Sequence, residues 1–189
     1  AIAGYSAGMR IESLSIVPML AMGNAMSTFT AQNMGAGKID RVKEGYRMCY
    51  VIVLTAGAVL CVMYQLAGGA FVSLFLDSGS SEAYSVGLSY VKFLSFFYSF
   101  IGLKASTDGL LRGAGDVTAF TVANLVNLAI RVSVTNLFAP VYGIQVAWMA
   151  VPLGWAANYV ISFGWYLTGK WKKVRVIKKI GRASCRERV

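Results

Sequence analysis

"MCYVIVLTAGAVLCVMYQLAGGAFVSLFL", residues 48–76, runs for 29 residues without one charge. About 20 residues of helix cross the hydrocarbon core of a bilayer. Two further uncharged runs flank it, 25 residues from Ser13 to Gly37 and 38 from Val132 to Gly169. With 57% hydrophobic and only 14% charged residues, the chain departs from the balance of a water-soluble domain. Lipid, not water, is the expected solvent.

The longest run is interrupted by Ala139-Pro140-Val141-Tyr142-Gly143. Pro140 removes a backbone donor and Gly143 relaxes the chain, so two spans joined by a tight turn are expected. Ala83 to Leu103 is apolar and aromatic apart from Lys92, which makes a further span of minimum length. The predicted fold class is all-α, a polytopic membrane protein with about five helices near residues 3–34, 45–76, 83–108, 117–139 and 143–169.

The charges between these helices support the count. Lys38, Arg41, Lys43 and Arg47 crowd the first connection, and Asp77-Ser78-Gly79-Ser80-Ser81-Glu82 carries no base. Lys104 and Arg112 flank the third connection, residues 140–143 are uncharged, and Lys170, Lys172, Lys173, Arg175, Lys178 and Lys179 follow the last helix. Basic short connections stay on the cytoplasmic side. The alternation therefore predicts that residue 1 begins outside and that the chain ends inside, in a bacterial inner membrane.

Several chemistries are excluded. Gly35-Ala36-Gly37-Lys38 lacks the earlier glycine and following hydroxyl of a phosphate loop, since Gln32 and Ile39 stand at those places. Gly113-Ala114-Gly115-Asp116-Val117-Thr118 has Thr118 where a dinucleotide fingerprint needs its third glycine. A formal charge of +10 suits anionic lipid, and no basic face interleaved with aromatics remains for nucleic acid. There is no His, and Cys49, Cys61 and Cys185 have neither metal spacing nor an even count. No metal, no cofactor and no enzymatic activity are expected.

The ends look irregular. The final "IGRASCRERV", residues 180–189, bears no relation to the helical pattern, and its codons can be written to resemble a common DNA-sequencing adapter. A non-native tail is expected there. At the other end Ala1-Ile2-Ala3-Gly4 enters a helix with neither Met nor a leader, so an interior piece of a longer chain is expected.

"GNAMSTFTAQNMGAGKIDRVKEGYR", residues 23–47, resembles the Gln-Asn-x-Gly-Ala-Gly-Lys signature of the multidrug and toxic compound extrusion (MATE) family. "DGLLRGAGD", residues 108–116, is similar to its second mark, and "NLAIRV" at 127–132 and "TGKWKK" at 168–173 extend the likeness to about Lys179. That family has twelve helices in two six-helix lobes around a central cavity. The resemblance implies that the five spans are helices eight to twelve, with the first lobe and helix seven as missing partners. It implies a secondary antiporter exporting amphipathic, often cationic organic compounds against inward Na⁺ or H⁺. Related lipid-linked sugar flippases share the architecture and remain an alternative, as does a structural membrane subunit without transport.

Gly35, Gly37 and Lys38 are expected to end a long helix, the glycines forming the turn and Lys38 facing the helix dipole. Gln32 and Asn33 are expected to bond neighbouring backbone. The family-mark residues Arg112, Gly113 and Asp116 read as structural, Asp116 as a cap for the next helix.

Ionisable residues at depth are stronger candidates for function, because a charge inside the bilayer costs at least about 2.5–3.5 kcal/mol and needs a partner or water. Arg10 and Glu12 are expected to face the lobe interior or cavity. Lys104 and Asp108, four apart, share a helix face, and either form an internal ion pair or snorkel to water. Arg131 is expected to pair across helices or snorkel. Phe93, Phe96, Phe97, Tyr98 and Phe100 either line a drug cavity or pack, and Trp148, Trp155, Trp165 and Trp171 either mark interfaces or pack. Some family members carry a coupling acid in helix ten where this chain has Ile101 or Gly102, which leaves the driving ion unassigned.

Overall fold

The computed structural model describes residues 2–76, 81–143 and 145–173. Much of the Asp77–Glu82 connection, Arg175, Lys178, Lys179, Cys185 and the expected tail at 180–189 lie outside the described residues.

Among the described residues all regular structure is helical: α1 (Ile2–Gly35), α2 (Ile39–Ser73), α3 (Ser81–Ser95), α4 (Tyr98–Gly113), α5 (Val117–Tyr142) and α6 (Gln145–Leu167), then a 3₁₀ turn at Lys170–Lys173. By length and composition α1, α2 and α5 can each cross a membrane, and α3 with α4, bent by 51°, counts as a fourth only if the bent pair is one span. The 23 residues of α6 pack along α5.

Three boundaries differ from expectation. The second helix starts at Ile39, not near 45, because the charged residues form a first turn with Asp40 in it, where an acid suits the helix dipole. Lys43 Nζ lies 2.7 Å from Asp40 Oδ1 within that turn. Helix α4 continues to Gly113, and α5 runs through Pro140 to Tyr142 before Gly143 turns the chain.

The helix expected over 83–108 is broken at Phe96–Phe97, with no Pro or Gly to announce it. A break leaves carbonyls without helical donors, and in lipid these must be satisfied from within the protein. Gln65 on α2 does so, its Nε2 donating to Lys92 O at 3.0 Å and to Ser95 Oγ at 3.0 Å. Ser95 Oγ itself donates to Lys92 O at 2.7 Å.

Helix α4 sits at the centre, touching α1, α2, α5 and α6. Its contact with α1 is made backbone to backbone. A Cβ on Gly109 would lie 2.1 Å from the Gly23 carbonyl oxygen, and one on Gly113 would lie 2.2 Å from that of Ser27. Lipid tails are as apolar as Leu, so helix association in a membrane relies on such close approach. Gly57 against Ser99, Gly102 against Val53 and Gly154 against Asn127 repeat the pattern.

This packing makes a paired prediction. Gly109→Ala should cost at least about 1–3 kcal/mol, because backbone must move. Gly164→Ala, with nothing within 4 Å of the new Cβ, should be neutral or add up to about 1 kcal/mol of helix propensity. Unfolding midpoints of the two variants in detergent check the contrast.

Candidate functional site

Three polar clusters surround α4. The first joins α4, α5 and α6. Lys104 Nζ lies 3.1 Å from Asp108 Oδ2 and donates to Asn124 Oδ1 at 3.1 Å. Asn124 Nδ2 donates to Asp108 Oδ2 at 3.3 Å and to Phe120 O at 2.8 Å, and Ser162 Oγ donates to Asp108 Oδ1 at 2.6 Å. Asn158, fully buried one turn earlier on α6, lies 3.4 Å from the same hydroxyl.

The i, i+4 spacing thus yields the internal ion pair and not the snorkelled arrangement, for the two side chains are only 15% and 6% exposed. Counting 1.5 Å per residue back from the end of α4, the pair lies about 8–14 Å below that end. A buried charge pair is tolerable when its remaining lone pairs and protons find partners. Here both carboxylate oxygens do.

The second cluster lies towards the other end. Tyr90 on α3 donates to Glu12 Oε2 on α1, the Tyr5 ring meets the Tyr90 ring edge-on at 5.2 Å, and the Arg131 charge on α5 acts on Glu12. Glu12 is half-buried, whereas Arg10 is exposed. Two residues along a helix are about 200° apart, so Arg10 and Glu12 cannot share the lobe interior. Arg131 is also exposed, and its stem lies over Gly154, where a Cβ would stand 2.9 Å from Arg131 Cγ.

The third cluster fills the space between α2 and α6 over α4. Tyr46 and Tyr50 share a hydroxyl contact, Thr107 Oγ1 lies 2.7 Å from Tyr46 OH, and Tyr50 OH donates to Tyr159 OH at 3.3 Å. Between the α3–α4 bend and α6, Phe93, Phe97 and Phe100 face Met149, Pro152 and Leu153 across an apolar cleft of about 200 Å³. Phe96 is instead exposed and Tyr98 lies in the core. Trp148, Trp155 and Trp171 are buried and Trp165 half-buried, so these four pack.

The two glycine marks form the same corner. Lys38 N donates to Asn33 O at 2.8 Å, and Asp116 N to Leu111 O at 2.9 Å. Gly37 and Gly115 precede them with φ of +71° and +84°, the left-handed helix ending that favours glycine. Asn33 Nδ2 bonds Phe29 O at 2.8 Å, while Gln32 is exposed. Asp116 caps α5 through Ala119 N at 3.4 Å and accepts from Trp165 Nε1 at 2.6 Å. Arg112 Nη2 donates to Asn24 Oδ1 at 2.7 Å, and Gly113 meets α1.

The sequence profile of the MatE family matches residues 1–138. The chain belongs to the MatE family. This is a family of membrane transporters, not enzymes. The MatE chain is 28% identical over 176 residues to the "Probable multidrug resistance protein YpnP" of Bacillus subtilis, covering 93% of this chain and 39% of that protein. It is 22% identical over 188 residues to the "Probable multidrug resistance protein NorM" of Thermotoga maritima, covering 95% of this chain and 39% of that protein. A solved inward-facing multidrug resistance MATE family transporter of the MOP superfamily shares the fold, with a TM-score of 0.77 and 19% identity over 86% of this chain and 37% of that one. The MatE chain thus spans about two fifths of the length of these relatives.

Sequence reading did not foresee Asn124, Asn158 and Ser162 as partners of Asp108, nor Tyr90 as the partner of Glu12. The amides at 124 and 158 stand in segments long and apolar enough for a bilayer, which was a usable signal. Ser162 and Tyr90 gave none.

The Asp116 geometry predicts a graded result. Asp116→Ala removes the cap and leaves Trp165 without an acceptor, costing about 1–2 kcal/mol. Asp116→Asn, which keeps an acceptor oxygen, should cost less. Thermal midpoints, together with a Trp165-dependent shift in fluorescence, check the order.

Proposed function

We propose that the chain forms most of the second lobe of a secondary antiporter, supplying its helices eight to twelve. The whole protein exports amphipathic, often cationic organic compounds in exchange for Na⁺ or H⁺ by alternating access. Its first lobe and helix seven belong to the same longer polypeptide, and residues 180–189 are foreign to it. The basic connections face the cytoplasm of a bacterial inner membrane, which leaves the chain's C-terminal end inside.

The observation that carries this reading is the Lys104–Asp108 pair, buried at helix depth and bonded to both α5 and α6. Intramembrane ionisable pairs mark ion pathways more often than they serve stability. Rearranging this pair changes the contacts of α4 with both helices at once, which is how binding of an ion can bias the packing of a lobe. Glu12, with Arg131 nearby, forms a second charged position in the opposite half, and exposed Arg10 and Arg131 are available to whatever faces α1 and α5. The aromatic cleft supplies rings for greasy cations, an attraction of about 0.5–2 kcal/mol. A lipid-linked sugar flippase would want a cavity rich in cations. The sparse Arg10, Lys104 and Arg131 do not favour it, and Lys104 is already paired.

In the full-length transporter, Asp108→Asn should lower gradient-driven efflux of a fluorescent organic cation about tenfold or more, since removing one partner of a buried pair costs several kcal/mol. Efflux unchanged by the substitution, under either a Na⁺ or an H⁺ gradient, sinks the coupling role. No gradient-dependent efflux by the unaltered protein sinks the antiporter reading itself. For orientation, cysteines placed at Lys43 and Glu82 should differ in labelling by an impermeant reagent on intact cells, with only position 82 reacting.

A further inference from the structure

The lysine ammonium occupies a place suited to a small monovalent cation. Asp108 Oδ2 and Asn124 Oδ1 both lie 3.1 Å from Lys104 Nζ, a carboxylate and an amide oxygen from two different helices. Asp108 Oδ1 is held by Ser162, so the carboxylate is fixed in orientation. Behind it the fully buried Asn158 accepts from Ser162 Oγ at 3.4 Å. Arg112, one turn further along α4, is turned away to Asn24 and does not compete. Carboxylate and carbonyl oxygens are the donor set of hard cations, and only the flexible stem of Lys104 puts an ammonium among them.

We propose that Lys104 is a tethered cation seated in a latent alkali-metal site made by Asp108 and Asn124, and that its presence excludes Na⁺ from this part of the lobe. Without the ammonium the Asp108 carboxylate would be a buried charge with no counter-charge, tolerated only once it takes up a proton or a metal ion. Lysine carries its charge on a compact ammonium, closer in character to a hydrated metal ion than a guanidinium is. The inference rests on the coupling reading only for its bearing on transport, because the site itself is a matter of binding.

The test is binding in the full-length transporter, without any transport measurement. Thermal midpoints are recorded in NaCl and in choline chloride at equal ionic strength for the unaltered protein, Lys104→Ala, Lys104→Gln, Lys104→Arg, Asp108→Asn and the double variant Lys104→Ala/Asp108→Asn. Lys104→Ala and Lys104→Gln should gain a NaCl-specific rise of roughly 1–2 °C over the unaltered protein at a tenfold excess over Kd. Lys104→Arg, which keeps the charge, and the double variant should gain none. If neither neutral variant gains a NaCl response, the proposal is overturned. It is equally overturned if the unaltered protein has a NaCl response that Asp108→Asn abolishes with Lys104 in place, since a metal ion would then already use the site. Should the neutral variants fold poorly, recovery in NaCl but not in choline supports the proposal, and equal failure in both salts overturns it. A transporter that fails the efflux test yet shows these shifts would retain the cation site and lose only its coupling role.

Discussion

Four consecutive residues of α4 hold the helices together, because a step of about 100° per residue spreads them over all the neighbouring helices. Ser106 receives Cys49 of α2 at 3.2 Å. Thr107 meets the tyrosines of α2, Asp108 bonds α5 and α6, and Gly109 touches the backbone of α1. In water a central helix is apolar all round. In lipid apolar surface confers no preference for the interior, and a polar side chain that finds its partner there does. Residues Ala105 to Leu111 are all buried, three of them polar. The lobe is in that respect organised by its polar contacts, and the glycine contact brings α1 close enough to seal them.

The membrane class was legible because it follows from the length of uncharged runs, a property of sequence alone. Helix ends were less so. The residues from Asp40 to Arg47 look like a loop by charge, yet they continue a 35-residue helix about 52 Å long, well beyond the roughly 30 Å of a bilayer core. Its first turns therefore stand in water, where charge is compatible with helix. The break between α3 and α4 was illegible for a different reason. Its stability lies with Gln65, some 30 residues away, and no local pattern at Phe96–Phe97 records that.

The candidate site divides along the same line. Lys104 and Asp108 were readable as a pair because i, i+4 geometry is local. What decides their behaviour is non-local: Asn124 and Ser162 fix the carboxylate, and only the tertiary fold brings them in. Glu12 was readable as a charge at depth, but its pairing with Arg10 in one direction was not sound. The helix turns Arg10 outward and gives Glu12 to Tyr90. Aromatic residues resisted assignment because their periodicity is the same for packing and for lining a cavity. Three of the five between 93 and 100 line the cleft, one is exposed and one is core.

The two Gly-Ala-Gly marks show what a family signature can encode. Both close helices with the same long-range backbone bond, from Lys38 to Asn33 and from Asp116 to Leu111, at the end of the bundle where Lys172 also comes near Asp40. Their following residues differ in role. Lys38 begins α2 with no side-chain cap, and its charge is favourable only towards the end of α1, which is the negative pole. Asp116 faces the positive pole of α5, where a carboxylate is favourable, and it caps that helix. The same carboxylate takes the indole of Trp165, so the corner between α4 and α5 is tied to α6 at the level of the basic end. A glycine pair that resembles a phosphate loop on paper is thus a corner whose neighbours are chosen by dipole sign. The motif constrains backbone at 37 and 115 and leaves chemistry to the buried charges one to three turns away.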